Sequence, residues 1–241
     1  MTTAVILDVE GTTSATTHVH DVLFPYARDR IASWVAEHGH EPAVRAVIED
    51  VHRITGHRSA GQDSAVRTLI EWADQDRKAE PLKRLQGMIW AEGYARGDIS
   101  GHIYWDTLLA VGTWFERGLR VFIYSSGSVR AQREWFSHSQ FGDLSRWIHG
   151  YFDLRTAGPK DSEDSYRRIC EAIGVRAPDG VFVSDTVTEL DAAADAGLRT
   201  AWIVRPEERR RPGTEEATPP PRHPVHRHLL ALTEAGTLDG P

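Results

Sequence analysis

The sequence predicts an α/β protein built on a parallel sheet, with a block of helices inserted near its start. Three observations carry this reading. Short apolar runs closed by an acid, Ala4–Leu7 before Asp8 and Gly180–Ser184 before Asp185, alternate with helical segments in the second half of the chain. From residue 21 to about 100, apolar residues recur at helical spacing with no clear strand. Hydrophobic residues make up 40% of the 241, and charged ones 26%, which excludes a wholly disordered chain and suits one or two folded domains.

Taken in order, Ala4–Leu7 reads as a buried strand that ends in a turn at Gly11-Thr12. Leu23, Ala27, Ile31 and Val35 mark a first helix ending near Gly39. Pro42 to Ile54 is a second, with proline in its first turn and Gly56 just beyond. A third runs from Asp63 to about Arg77, and a fourth begins near Pro81 with Leu82, Leu85, Met88 and Ile89. Leu119 to Tyr124 is the next strand, followed by Ser125-Ser126-Gly127-Ser128 and a helix carrying Val129 and Phe136. The helix from Ser162 to Ile173 places Tyr166, Ile169, Cys170 and Ile173 on one face and stops at Gly174. Gly180–Ser184 is a strand, a helix with Glu189 and Asp191 follows, and Thr200 to Val204 is the last strand. The helical block, 16–104, interrupts an α/β core made of 1–15 and 105–241. Residues 206–224 hold six of the 12 prolines together with Arg209-Arg210-Arg211, and read as an exposed loop or mobile tail.

Charge narrows the possible partners. With 28 basic and 35 acidic residues, a net charge of -7 does not suit phosphate-backbone binding, so no nucleic-acid partner is expected. No run approaches the length that spans a bilayer, and the N-terminus has no basic segment of the signal-peptide type. No membrane association and a cytoplasmic location are the expectation. Cys170 is the sole cysteine, so no disulfide forms within the chain. His18, His20, His223, His226 and His228 match no zinc-ligand spacing and read as loop or surface residues. The eight tryptophans read as core.

In parallel α/β sheets, ligands bind beyond the carboxyl ends of the strands. The polar residues predicted there are Asp8 and Glu10, Ser125 and Ser126, and Asp185 with Glu189 and Asp191 beyond it. Lys160 lies in the loop Gly158-Pro159-Lys160-Asp161. Asp8, Glu10 and Asp185 at one sheet edge would repel one another unless a cation shared the site, and an all-oxygen set suits Mg²⁺. Hydroxyls at a helix N-terminus make a phosphate cradle, and a lysine adds a point charge. Together they suit phosphoryl transfer through a carboxylate nucleophile.

These residues resemble the motifs of the haloacid dehalogenase-like superfamily: Asp8-Val9-Glu10-Gly11-Thr12, Ser125-Ser126-Gly127, Lys160, and Ser184-Asp185 with Glu189. The resemblance implies a Rossmann-like core with an α-helical cap inserted between the first and second motifs. It extends to the enolase-phosphatases of methionine salvage, also called acireductone synthases. Asp21-Val22-Leu23-Phe24-Pro25-Tyr26 and Leu82 to Trp90 are similar to signatures of that family, as is Glu10 in place of a second aspartate. The implied reaction enolises 2,3-diketo-5-methylthiopentyl-1-phosphate, then hydrolyses its phosphate. Carried over, Asp8 is nucleophile and Mg²⁺ ligand, and Glu10 is a ligand through its carbonyl and a proton carrier through its side chain. Asp185 is the third ligand, Ser125 and Ser126 hold substrate, and Lys160 contacts phosphate. One Mg²⁺ per chain, a small phosphorylated diketone as partner, and a monomer are implied. Other readings are a capped phosphatase of the superfamily for another metabolite, and a non-catalytic phosphosugar-binding module; Asp8 and Asp185 argue against the second. Arg205-Pro206 departs from the family's pattern after the last strand, because it leads into Glu207-Glu208.

Overall fold

The computed structural model describes residues 2–57, 61–206, 208, 222–234 and 238. Residues 207 and 209–221 of the predicted tail, the arginine triplet included, lie outside these. The chain forms two compact units, Met1–Thr16 with Ser100–Pro241, and Thr17–Ile99.

The first unit is a six-stranded parallel sheet with helices. Its strands are β1 (Ala4–Leu7), β2 (Arg120–Tyr124), β3 (Ile148–Phe152), β4 (Gly180–Ser184), β5 (Arg199–Ile203) and β6 (Val225–His226), in the order β3-β2-β1-β4-β5-β6. This is the α/β parallel-sheet class that the sequence predicts. Every residue of β1 is fully buried, which explains its unbroken apolar run. The sheet order reverses at β1, because β2 and β3 lie on one side of it and β4 to β6 on the other.

The second unit is helical: α1 (Phe24–His38), α2 (Pro42–Thr55), α3 (Gln62–Asp74) and α4 (Glu80–Arg96). Its core takes Ala27, Ile31 and Val35 from α1, Val44, Val47 and Val51 from α2, Ala65, Leu69 and Trp72 from α3, and Leu82, Leu85 and Ile89 from α4. The two signature segments meet inside this unit. Phe24 stacks on Trp90 with ring centroids 6.0 Å apart, and the Trp90 indole N–H donates to the Leu23 carbonyl at 2.8 Å. A Cβ on Gly93 would lie 2.7 Å from the Tyr26 ring, so glycine there lets α4 approach α1.

The helices of the first unit are α5 (Trp105–Glu116), α6 (Val129–Ser137), α7 (Glu163–Ile173) and α8 (Val187–Asp195). The sequence reading has no counterpart for β3, β6 or α5. β3 is an edge strand whose apolar pattern is broken by His149 and Gly150, and β6 has only two residues. α5 is apolar on its exposed side as well, at Trp105, Leu109 and Phe115, which blurs its period. Trp105 is 60% exposed and is not a core tryptophan. His223 is also corrected: it is buried, bonded through Nδ1 to the Thr200 hydroxyl at 2.7 Å and through Nε2 to Asp191 at 3.1 Å. Among the described residues, no helix is long and apolar enough to cross a membrane.

Arg205, just after β5, is buried against Asp106. Its Nη1 and Nη2 donate to the two Asp106 oxygens at 3.1 and 3.2 Å, and its Nε donates to the Thr12 carbonyl at 2.7 Å. Asp106 also accepts the Leu229 N–H at 2.6 Å. One ion pair thus joins the loop after β1, the start of α5 and the C-terminal segment. Breaking it strands a buried charge, so Asp106→Ala is expected to cost about 3–5 kcal/mol in urea unfolding. A midpoint equal to wild type would show the pair to be dispensable.

Candidate active site

Strand register brings the polar residues to one level. Leu7 pairs with Ile123 of β2 and Val183 of β4, so Asp8 lies level with Tyr124 and Ser184, and Ser125 and Asp185 come one residue further on. All three strands end at the point where the sheet order reverses, where α/β sheets bind their ligands.

The turn after β1 is tightly wound. The N–H groups of Thr12, Thr13 and Ser14 all point to the Val9 carbonyl, and the Thr13 hydroxyl donates to the Asp8 carbonyl at 3.0 Å. Gly11 has φ +76°, and a Cβ there would lie 2.2 Å from an oxygen of Asp185. The glycine serves both a left-handed turn and the approach of the Asp185 carboxyl to this backbone. Glu10 is half-buried in the same turn.

Lys160 stands among the acids. Its ammonium donates to Asp8 Oδ1 at 2.5 Å and lies 2.7 Å from Glu189 Oε2. Burial works against the ammonium, but Asp8 and then Glu189 outweigh it and hold its pKa above the ordinary lysine value. The lysine loop is fixed from beneath. The Tyr166 hydroxyl donates to the Lys160 carbonyl at 2.7 Å, the Ser165 hydroxyl to the Pro159 carbonyl at 2.7 Å, and the Tyr124 hydroxyl to the Gly158 carbonyl at 2.9 Å.

Asp185 accepts the Thr186 hydroxyl at 3.1 Å. Burial, and next the charge of Asp8, push its pKa up to about 7. Glu189 is raised by the same two causes, with Lys160 opposing, and accepts the Ser184 hydroxyl at 2.9 Å. Ser125 is buried and its hydroxyl accepts the Gly127 N–H at 3.3 Å, whereas Ser126 is exposed. Both precede α6, whose N-cap is Ser128.

Two carboxylates, Asp8 and Glu189, therefore hold one ammonium, and a third, Asp185, lies close enough for the Asp8 charge to add to the effect of its burial. A hard divalent cation fits this surplus of negative oxygen donors. Among the described residues, no group of three His, Cys, Asp or Glu forms a metal cluster.

A family model described as haloacid dehalogenase-like hydrolase matches residues 2–197. The chain is 48% identical over 202 residues to enolase-phosphatase E1 of Pseudomonas aeruginosa, covering 84% of this chain and 89% of that one. It is 43% identical over 225 residues to enolase-phosphatase E1 of Alcanivorax borkumensis, covering 93% and 95%. The chain belongs to the enolase-phosphatases of the haloacid dehalogenase-like hydrolase family. The solved structure of the UTR4 protein of Saccharomyces cerevisiae has a TM-score of 0.76 at 32% identity, covering 95% of this chain and 98% of that one. CbbY of Rhodobacter sphaeroides, in complex with phosphate, shares the fold alone, with a TM-score of 0.60 at 16% identity.

As an enolase-phosphatase, the chain is a phosphatase of the parallel-sheet class, as its motifs imply. Of the residues singled out in the sequence, Asp8 and Lys160 are in direct contact, and Asp185 lies against the Gly11 backbone. Ser125 lies one residue beyond the Asp8 level on the neighbouring strand. Glu189, read only as part of an acidic cluster, is bonded to Lys160 directly. Tyr124 and Tyr166 stand in the segments Tyr124–Val129 and Ser162–Tyr166, which are also similar to signatures of the family, whereas Asp153 has no sequence signal, because its Val129 partner lies on another loop.

Proposed function

We propose that this chain converts 2,3-diketo-5-methylthiopentyl-1-phosphate to the acireductone 1,2-dihydroxy-3-keto-5-methylthiopentene and inorganic phosphate, in methionine salvage. The observation that carries the reading is the Asp8–Lys160–Glu189 contact at the sheet edge beside Asp185, in an enolase-phosphatase chain. The partner is then a small phosphorylated metabolite, acted on by a monomeric chain. The helical unit, with its Asp21–Tyr26 and Leu82–Trp90 segments, serves as cap.

In the enolisation, the Glu10 carboxylate takes a proton from a carbon beside a carbonyl, and the carbonyl oxygen takes one from water to give the enol. In the hydrolysis, Asp8 attacks phosphorus and the bond to the leaving oxygen breaks. Glu10 returns its proton to that oxygen. Water then cleaves the aspartyl phosphate, which restores Asp8 and releases phosphate. Lys160 fixes Asp8 Oδ1, leaving its other oxygen for attack, and offsets phosphoryl charge. Ser125 and Ser126, on the loop before the N-terminus of α6, cradle the phosphate. One Mg²⁺ per chain, held by Asp8, the Glu10 carbonyl and Asp185, would supply charge neutralisation and polarise oxygen.

The test follows enol and acireductone absorbance anaerobically, alongside phosphate release, in Mg²⁺ and then in EDTA. Both signals should appear with Mg²⁺ and vanish with EDTA. Phosphate from generic phosphomonoesters without turnover of the diketone would replace this reading with a general phosphatase. The longer arm of glutamate reaches a carbon acid as well as a leaving oxygen. Glu10→Asp is therefore expected to lose about 10-fold more enolisation than phosphatase rate. Equal losses would count against a dual role for Glu10.

A further inference from the structure

Two loops carry the groups assigned to phosphate, and they are far apart in the chain. One is Ser125–Ser128, between β2 and α6; the other runs from the end of β3 to Lys160. A buried carboxylate, Asp153, opens the second loop and reaches across to the first. Its Oδ2 accepts the N–H of Val129, the first residue of α6, at 3.1 Å. Its Oδ1 accepts the N–H of Arg155 at 3.1 Å, the N–H of Thr156 at 2.8 Å and the Thr156 hydroxyl at 2.9 Å. Each oxygen therefore serves a different loop. Burial works against the charge of Asp153, but these donors outweigh it and hold the carboxyl below its ordinary range. Beneath it, the Gln132 amide donates to the Gly127 carbonyl at 2.7 Å and the Phe152 carbonyl at 2.8 Å, which stitches the bases of the same two loops.

We infer that Asp153 is a positioning residue that sets the spacing between the serine loop and the lysine loop, and so the phosphate-binding geometry. It touches none of the reacting atoms. It acts by fixing the N-terminus of α6, which follows the serine loop directly, against the turn that leads to Lys160. The inference rests on the reading that Ser125 and Lys160 hold phosphate. Displacement by about 1 Å in such a site costs up to about 100-fold in rate.

The chemistry supplies discriminating variants. In Asp153→Asn, the amide oxygen can still accept from Arg155 and Thr156, and asparagine is well suited to such a turn. The amide NH₂ then faces the Val129 N–H, donor against donor, so the turn survives and the bridge is broken. Val129→Pro removes the same N–H from the other side. Proline is accommodated at the first helical position, and Ser128 already has the extended backbone, φ -59° and ψ 150°, that precedes proline. Thr156→Val weakens the turn and leaves the bridge.

The experiment measures inhibition by inorganic phosphate, kcat/KM and melting temperature in the full chain with Mg²⁺. Asp153→Asn and Val129→Pro should each weaken phosphate inhibition about 10-fold and lower kcat/KM about 10- to 100-fold, while melting falls by only about 2–4 °C. Thr156→Val should lower melting comparably, with phosphate inhibition within about twofold of wild type. Phosphate inhibition within twofold of wild type in both bridge variants would overturn the inference. Unfolding of both would do so too, since the bridge would then be a folding element. Ser125→Ala and Lys160→Ala separate the two levels: if neither alters phosphate inhibition, the assignment of the site itself falls.

Discussion

Asp8→Asn is expected to abolish phosphate release, by about 10⁴-fold or more, while the enol of the diketo substrate still forms and accumulates. An amide cannot displace the leaving oxygen from phosphorus, so the hydrolytic half ends. The Asn oxygen can still accept a hydrogen bond from Lys160 and still donate electrons to a metal, and Glu10 keeps its carboxylate for the carbon acid. Nor should the fold suffer. The Asp8 charge is the second-largest cause raising both Asp185 and Glu189, so its removal relieves crowding in a buried cluster. The observation to seek is a stable enol absorbance with no phosphate, in a protein that melts within a few degrees of wild type. Phosphate release at a tenth of the wild-type rate would rule out Asp8 as nucleophile, and loss of the enol signal would place Asp8 in both halves of the reaction.

Lys160→Met is expected to be the more disruptive of the two for the molecule as a whole. Methionine keeps much of the volume but leaves Asp8 and Glu189, now without their shared ammonium, in a buried site. Stripping one partner from a buried pair costs about 3–5 kcal/mol. Loss of a charge aimed at the phosphoryl group should lower kcat/KM by a further factor of about 10²–10³. The stability loss has a definite pH sign. Glu189 already lies above its ordinary pKa in the wild type, and Lys160 is among the groups that hold it down, so the variant raises it further. A carboxyl with a raised folded pKa binds its proton more tightly folded than unfolded. Its contribution is therefore favourable at low pH and is lost as pH rises through that folded pKa. Urea unfolding of the EDTA-treated variant should show a deficit that is largest near pH 8 and shrinks towards pH 5. A deficit that grew on acidification would mean that Lys160 and Glu189 are not paired in solution.

The sequence reading succeeded where one local rule decided the matter. β1 could be read because a strand covered on both faces must be apolar throughout, and the acid that stops it must then stand at the sheet edge. The helices of the second unit could be read because one apolar stripe per helix suffices to build their common core, as with Ala27, Ile31 and Val35. Asp8, Ser125 and Asp185 are placed at strand ends by the same route, each lying just past a strand that its own residues predict.

β3 could not be found this way. An edge strand need bury little, and His149-Gly150 carries no alternation that a reader could follow. The Arg205–Asp106 pair, the buried His223 and the Asp153 bridge were also invisible, since each joins residues 20 to 100 positions apart in the chain.

The sequence by itself determined which chemical groups the protein owns and which strand ends they follow, because local periodicity and turn chemistry are written within a few residues. Only the tertiary structure decided how those groups bear on one another. It showed that Lys160 is shared between Asp8 and Glu189, that Asp185 lies against the Gly11 backbone, and that one carboxylate spans two loops. Those are consequences of sheet order and register, which bring separate stretches of chain within ångströms. At that range, burial and charge set the chemistry.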